Sequence, residues 1–496
     1  MTENNKETKS NITKKQYILS VLVALIIGVT GTLFISEQLT DSVDDVNDKA
    51  VEETTDFNLD TPSEFDVEYD ELTVINKLYT ILMTTYFEEV DSEVLIEGAL
   101  EGMAGAIGDP YTEYLNEVES TSFDEDISGS FQGIGAEVMK DGEYVRIVSP
   151  IANSPAAEAG LQPNDLIVEV DGESVAELTI NEAVSLIRGP EGSDVELLLI
   201  RGDEQFSITL TRAEIPLETV FYEVDEDNRE IGYVNIVNFN MPTYLETVDA
   251  IKALQEQGVQ KIVFDVRGNP GGLLTSAIEI SNIFVPNGEP LMMTEYRQDE
   301  EPTVYEASDD YGGFKFEGEA VLLVNEGSAS ASEILAGAMQ SVGIPIYGQT
   351  TFGKGTVQSL VDLGATDEVK FTSGKWLTAS GDWINETGIE PDVPVELPTY
   401  AQLFIVNPMS TYKEGDNSAE VKNLKSVLTA LDYDVSENET FDDSVVTAVK
   451  LFQETNDLTI DGIVTGDTAR ALTDQLRTKI ENNDTQYDAA IEALAN

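Results

Sequence analysis

The sequence predicts a multidomain protein of α/β and α+β class, and three observations carry the prediction. Between residues 213 and 400, apolar strands alternate with helical stretches, the pattern of a parallel sheet covered by helices. Residues 128–212 read instead as short strands joined by glycine turns. After residue 401 the apolar positions recur at helical spacing, as expected of a small all-α C-terminal domain.

Composition bounds the chemistry. The 496 residues include 27 basic and 94 acidic side chains, a formal charge of −67. A polyanion repels phosphate backbones, so nucleic acid is not an expected partner. There is no cysteine and no histidine. Disulfides, a Ser-His-Asp triad, a Cys-His pair and the common zinc sites are therefore excluded, and no metal or cofactor is expected.

In chain order, residues 1–15 carry Lys6, Lys9, Lys14 and Lys15 and are expected to form a cytoplasmic tail. Residues 16–36 are uncharged and mostly apolar, and roughly 20 such residues span a bilayer with the basic flank inside. No A-x-A site follows, which favours an uncleaved transmembrane anchor over a signal peptide. The expected location is the cell membrane, single-pass, with the rest of the chain outside. Residues 37–70 hold 13 acidic residues and one lysine and read as a self-repelling linker. Residues 71–127 have helical spacing (Leu72, Ile75, Leu78, Tyr79, Leu82) and close in the turn GMAGAIGDPYTEYL.

Within 213–400 two strand-loop-helix units stand out. The first is KIVFDVR (261–267), loop GNPGG (268–272) and helix LLTSAIEISNIF. The second is AVLLV (320–324), loop NEGSAS and helix ASEILAGAMQS, followed by the strand IPIYG. Both loops sit at the C-terminal ends of strands, where open α/β sheets build their sites. Residues 401–480 carry one stripe from Val421 to Leu431, another from Val445 to Phe452, and the turn DLTIDGIVTGDTARAL (457–472). Residues 481–496 read as a polar tail.

Ser330 and Glu333 form the S-x-x-E pattern of a capping box opening a helix at Ala331. That is a structural role, and Ser328 or Ser332 could equally be turn residues. The same geometry suits a nucleophile, because free N–H groups and the helix dipole at the N-terminus stabilise developing negative charge. Flanking alanines let a substrate backbone approach.

A serine nucleophile needs a base, and without imidazole the remaining candidate is a lysine held neutral. Lys354 stands between Gly353 and Gly355. At an ordinary pKa near 10.4, about one lysine in a few thousand is neutral at pH 7. Burial can bring it to ~7–8. Gln358, four residues on, would share its face in a strand and could accept a hydrogen bond from the amine. Gly348 to Lys354 also spells the first seven positions of a phosphate-binding loop. Gly355 stands where that motif needs Ser or Thr, and a strand follows where it needs a helix.

These motifs carry three resemblances. FQGIGAEV (131–138) and AGLQPNDLIVEVDG (159–172) resemble a PDZ domain, whose edge strand pairs with a peptide while its loop receives the C-terminal carboxylate. The C-terminal turn and its two preceding helices resemble a peptidoglycan-binding domain. SASASEI (328–334) and GKGTVQ (353–358), with DVRGNPGG (265–272) upstream, resemble the carboxy-terminal processing proteases, tail-specific serine peptidases with a crotonase-like α/β core.

The protease resemblance implies Ser330 as nucleophile, Lys354 as general base and Gln358 beside it. It implies an oxyanion hole from the N–H of Ala331 and of Gly271 or Gly272. The PDZ resemblance implies that Gly133, Ile134 and Gly135 receive the substrate's free C-terminus. Arg188 is implied as a gating residue, although a helix C-terminal cation reads equally well there. The expected function is serine endopeptidase action on protein or peptide substrates, with peptidoglycan and the membrane as further partners and a homodimer formed through terminal helices. The alternative is a catalytically inactive PDZ and wall-binding scaffold.

Overall fold

The computed structural model describes residues 70–495 apart from 203, 300, 365 and 366. The expected tail, the membrane span and nearly all of the linker lie outside the described residues. Among the described residues no helix is long and apolar enough to cross a membrane. The chain falls into two compact units, the first ending at Ala106 and the second running from Ile107.

The first unit holds helices α1 (Asp70–Thr85) and α2 (Ser92–Gly105). Asp91 caps α2 by accepting from the Glu93 N–H at 2.9 Å. Leu72, Ile75, Leu78, Val94 and Met103 are exposed, so the helical spacing read in the sequence does not mark a buried face here.

The second unit opens with β1 (Glu113–Leu115) and α3 (Glu117–Ser128), then β2 (Ser130–Gly133). Asn116 and Glu119 cap α3 reciprocally, and Gly129 ends it at φ 69°, where a side chain would be strained. The PDZ-like region comprises β3 (Ala136–Asp141), β4 (Tyr144–Pro150), α4 (Pro155–Glu158), β5 (Leu166–Val170), β6 (Glu173–Ser174), α5 (Ile180–Ile187), β7 (Asp194–Arg201) and β8 (Glu204–Thr211). Its sheet runs β3-β4-β5-β7-β8 with β6 on β5, leaving β3 at an edge. Val145, Ile147, Ile167, Leu197 and Leu199 point inward and cluster with Ala183 and Ile187 of α5. β9 (Ala213–Pro216) returns to pair antiparallel with β2.

The core then runs β10 (Val220–Val224), β11 (Ile231–Ile236), α6 (Thr243–Glu256), β12 (Lys261–Asp265), α7 (Leu274–Phe284), β13 (Pro290–Tyr296), β14 (Thr303–Glu306), β15 (Glu319–Val324), α8 (Ala331–Ser341), β16 (Ile346–Gly348), β17 (Thr356–Gly364), β18 (Asp367–Thr378) and β19 (Val393–Pro394). One sheet has the order β10-β11-β12-β15-β16-β19, parallel except for β10. The second, antiparallel, runs β1-β18-β13-β14 with β17 on β18. Through β1, the end of the region expected to be helical supplies a strand to this core.

Alternation along the parallel strands divides two apolar layers. Ile262, Phe264, Ala320, Leu322 and Val324 join the large cluster with α6, α7 and α8. Val263, Val321, Leu323 and Ile231 face the other way. Helices α9 (Ala419–Ala430), α10 (Asp443–Thr455) and α11 (Gly466–Glu481) form the small C-terminal bundle around Leu424, Val445, Phe452 and Leu472.

Residues 481–496 are not a polar tail. Past the end of α11 they form α12 (Thr485–Ala495), whose Ala490 and Leu494 are buried against Ile231, Val263, Val321 and Leu323. The physical reason is the sheet itself. Strands apolar on both faces need a cover on each, and α12 supplies the second.

Candidate active site

Three serines crowd the turn between β15 and α8, and their hydroxyls differ. Ser328 is buried and donates to the Val266 carbonyl at 2.8 Å. Ser332 is buried and donates to the Asn269 carbonyl at 2.9 Å. Both fasten this turn to the GNPGG loop after β12. Ser330 sits at the N-cap of α8 with φ 53° and ψ −110°, a conformation that strains a residue with a side chain. The Glu333 N–H goes to the Ser330 carbonyl oxygen at 2.8 Å and faces the Ser330 side chain in a capping box, while the Ser330 hydroxyl donates to no acceptor among the described residues. It is the one hydroxyl of the three whose proton has no acceptor among the described residues.

Glu333 joins this turn to the lysine segment. Its fully buried carboxylate accepts from the Ser330 N–H at 2.8 Å and the Lys354 N–H at 2.8 Å on one oxygen. The other oxygen accepts from the Thr351 hydroxyl at 2.6 Å and the Gly353 N–H at 2.7 Å. Four donors converge on one side chain, so the backbones bearing Ser330 and Lys354 are held to a common point. The S-x-x-E spacing signals Glu333 as a cap but carries no hint of the second segment.

The Lys354 amine lies 4.5 Å from the centroid of the Tyr111 ring. Burial lowers its pKa from the ordinary lysine value, and the neighbouring Lys370 ammonium adds to the shift. Asp109, Glu333 and Glu113 oppose it without reversing it. Tyr111 and Asp109 come from GDPYTEYL, before the PDZ-like region. Their approach to Lys354 was not legible, because no local spacing links residues so far apart.

Gln358 departs from the expectation. Lys354 precedes β17 rather than lying in it, and the ladder with β18 shifts register between Val357 and Gln358. Simple alternation therefore does not relate the two side chains. The Gln358 amide donates to Thr356 at 3.0 Å and more weakly to Thr372 at 3.4 Å, and no hydrogen bond to the lysine amine forms.

Of the two oxyanion candidates in the loop, Gly271 has its N–H committed to Asn269 Oδ1 at 2.8 Å, which removes it as a donor. The N–H groups of Gly272 and Ala331 have no acceptor among the described residues. Gly271 matters by its size instead. A Cβ there would lie 2.8 Å from the Ala329 oxygen and 2.9 Å from Ser330 Cβ.

The chain matches the model of Peptidase family S41 over residues 230–395 and that of a PDZ domain over 146–201. Residues 25–119 match the N-terminal domain of the activating protease CtpB, and 417–472 a peptidoglycan binding domain. The chain is 43% identical over 432 residues to "Carboxy-terminal processing protease CtpA" of Bacillus subtilis (strain 168), covering 86% of this chain and 91% of that protein. It belongs to the carboxy-terminal processing proteases of the S41 family, serine peptidases. It is also 33% identical over 499 residues to "Probable CtpA-like serine protease" of Staphylococcus aureus (strain MSSA476), covering 99% of this chain and 95% of that one. Among solved structures, the photosystem II D1 C-terminal processing protease is 29% identical with a TM-score of 0.38, over 65% of this chain and 88% of that one.

In this processing protease the expected carboxylate loop joins β2 to the edge strand β3. Gly133 ends β2, and the Ile134 side chain is buried in the PDZ core. The loop is held from below: the Ile134 carbonyl accepts from Ala156 N–H at 2.8 Å, and the Gly135 carbonyl from the Ser154 hydroxyl at 2.8 Å. Gly135 has φ 73°, and a Cβ there would lie 2.3 Å from Ser154 Cβ. The N–H groups of Ile134 and Gly135 have no acceptor among the described residues. Arg188 ends α5 beside this loop, its Cγ 3.8 Å from where a Gly133 Cβ would sit. Its guanidinium pairs with Glu125 of α3 at 2.5 Å and lies 5.1 Å from the Phe131 ring centroid.

Proposed function

We propose that this processing protease is a membrane-anchored, extracytoplasmic endopeptidase working through a Ser-Lys centre on substrates whose C-termini its PDZ domain reads. Ser330 Oγ attacks the scissile carbonyl while neutral Lys354 takes its proton. The carbonyl oxygen becomes an oxyanion facing the N–H groups of Ala331, at the start of α8, and of Gly272, in the GNPGG loop. The lysine then passes its proton to the departing amine, leaving an acyl-serine that water hydrolyses by the same route. Gln358 is assigned to accept from the amine in the substrate-bound state, since catalytic hydrogen bonds often tighten only there. The observation that carries this reading is that Ser330 alone of three serines has a hydroxyl proton without an acceptor among the described residues, at a helix N-terminus whose backbone Glu333 binds to that of a lysine whose pKa burial lowers.

Around this centre, Gly133, Ile134 and Gly135 are assigned to the substrate carboxylate. Arg188 is assigned a gating role, because a carboxylate arriving at the loop would compete with Glu125 for its guanidinium. The exposed apolar side chains of α1 and α2 are the reason for proposing a homodimer, and the C-terminal bundle is assigned to peptidoglycan. The anchor rests on the uncharged run at 16–36 behind four lysines. The test is cleavage of a C-terminally tagged unfolded protein. Ser330→Ala, Lys354→Ala and Lys354→Arg should each abolish it while leaving the fold intact, since a guanidinium stays protonated. Activity surviving in Ser330→Ala but lost in Ser328→Ala or Ser332→Ala would overturn the assignment.

A further inference from the structure

Arg267 lies two residues past the end of β12 and is followed directly by the GNPGG loop. Its side chain is 14% exposed, and all five of its N–H donors are engaged. Nε and one η nitrogen donate to Asp265, the latter at 2.6 Å to Oδ2. Asp265 itself accepts from the Tyr233 hydroxyl at 2.6 Å. The remaining bonds leave the protease domain's own sequence. Two parallel bonds run to Asp484, at 2.9 Å and 2.8 Å, and one to Gln486 Oε1 at 3.0 Å.

Asp484 has a second task. It accepts from the N–H groups of Gln486 and Tyr487 and so caps α12. The helix is further anchored to the sheet. Gln486 donates to the Val395 carbonyl at 2.8 Å, Tyr487 to Asp225 at 2.9 Å, and Lys261 to the Leu494 carbonyl at 2.5 Å. On the other side of Arg267 the loop is bound to the nucleophile turn. Asn325 accepts from Gly268 N–H at 2.8 Å, and the Asn269 carbonyl accepts from Ala329 N–H at 3.0 Å and from Ser332. The chain of contacts from the C-terminal helix to the residue before Gly268 is continuous and ionic.

We infer that Asp484 is a positioning residue for the oxyanion loop: through its two-pronged pair with Arg267, the C-terminal helix fixes where the loop 268–272 presents the Gly272 N–H. The inference rests on the reading of that loop as part of the oxyanion hole. A fork-to-fork ion pair fixes direction as well as distance, which a single ammonium or an apolar contact does not. The loop has three glycines and one buried side chain, Asn269, which donates to the Ile236 carbonyl at 2.7 Å, and the residue just before it, Arg267, is where the C-terminal helix acts on it. Because α12 follows α11 after three residues, the wall-binding-like bundle is tethered to the catalytic core at this clamp.

The test uses the full chain and steady-state cleavage of a tagged unfolded protein. Asp484→Ser keeps a good helix cap, but its short hydroxyl cannot bridge the guanidinium. It should lower kcat about tenfold or more while KM stays within about twofold, the pattern of an interaction made in the transition state. The thermal midpoint should fall, because two buried guanidinium N–H donors lose their acceptors, while the protein stays folded at the assay temperature by circular dichroism, and Asp484→Glu should recover part of the lost kcat. Gly271→Ala, checked for folding by circular dichroism, reports on the loop by itself and should also lose kcat. A normal kcat in Asp484→Ser beside a collapsed one in Gly271→Ala overturns the clamp and leaves the loop reading in place. A normal kcat in folded Gly271→Ala overturns the loop reading and the clamp with it. A kcat in Asp484→Ser that falls only in proportion to the folded fraction also overturns the clamp, since a scaffold contact would do that.

Discussion

Glu333 is where the serine turn and the lysine segment are joined, and its four donors make its chemistry unforgiving. Replacing it with Gln leaves one acceptor oxygen and turns an NH2 group toward N–H donors. Each stranded buried donor costs about 1–3 kcal/mol. Glu333→Gln strands two donors and should therefore lower unfolding free energy by about 2–6 kcal/mol, read by urea melts, and cut kcat more than Ser332→Ala does. Unchanged stability and kcat would show that the carboxylate only fills space. Lys354 is the opposite case, a residue kept at the expense of stability. Its folded pKa lies below the unfolded value, so below the unfolded pKa the folded state is penalised for excluding a proton. Lys354→Met should raise the thermal midpoint at neutral pH while abolishing cleavage. In the parent, kcat should rise with pH along one limb centred below the ordinary lysine value, because only the neutral amine accepts a proton. A limb at or above that value would contradict the base assignment.

At the scale of elements, much was legible. The strand-loop-helix units were read to within a residue or two, because β12, β15 and α8 carry patterns that no other structure would satisfy. The C-terminal helix was not, although its stripe is plain once sought: Tyr487, Ala490, Ile491 and Leu494 follow the spacing i, i+3, i+4, i+7. Its acidic neighbours hid that stripe, and AVLLV, apolar on both faces, was the clue that a second cover was needed. The facing of Gln358 relative to Lys354 was not legible for a different reason, since a register shift in a ladder leaves no local mark in the sequence. The oxyanion glycine could not be chosen from sequence because the choice depends on which N–H Asn269 takes. A prediction tests the cover. Leu494 is 4% exposed against the sheet, and Leu494→Ala should destabilise the protein by about 2–5 kcal/mol. A change too small to measure would mean that α12 rests on the sheet without supporting it.

At the scale of the whole molecule, the PDZ edge, the Arg188–Glu125 pair and the catalytic sheet form one path. α3 carries Glu125, and its Ser120 bonds Glu368 of β18, the strand that also pairs with β17 after Lys354. Under the proposed assignment of the carboxylate loop and Arg188, these contacts are the route by which substrate charge would reach the site. The N–H groups of Ile134 and Gly135 are open to an anion, and a carboxylate forms bonds about twice as strong as a neutral amide does. Amidating the C-terminus of a good substrate should thus slow cleavage about tenfold or more at low substrate concentration. Deleting residues 128–212 should erase the difference between acid and amide, whatever basal rate survives. Glu125→Gln should weaken the hold on Arg188 and narrow the same difference, because the guanidinium would no longer wait for the substrate's charge. Equal rates for acid and amide substrates with the intact chain would show that its PDZ domain reads something other than the terminal carboxylate.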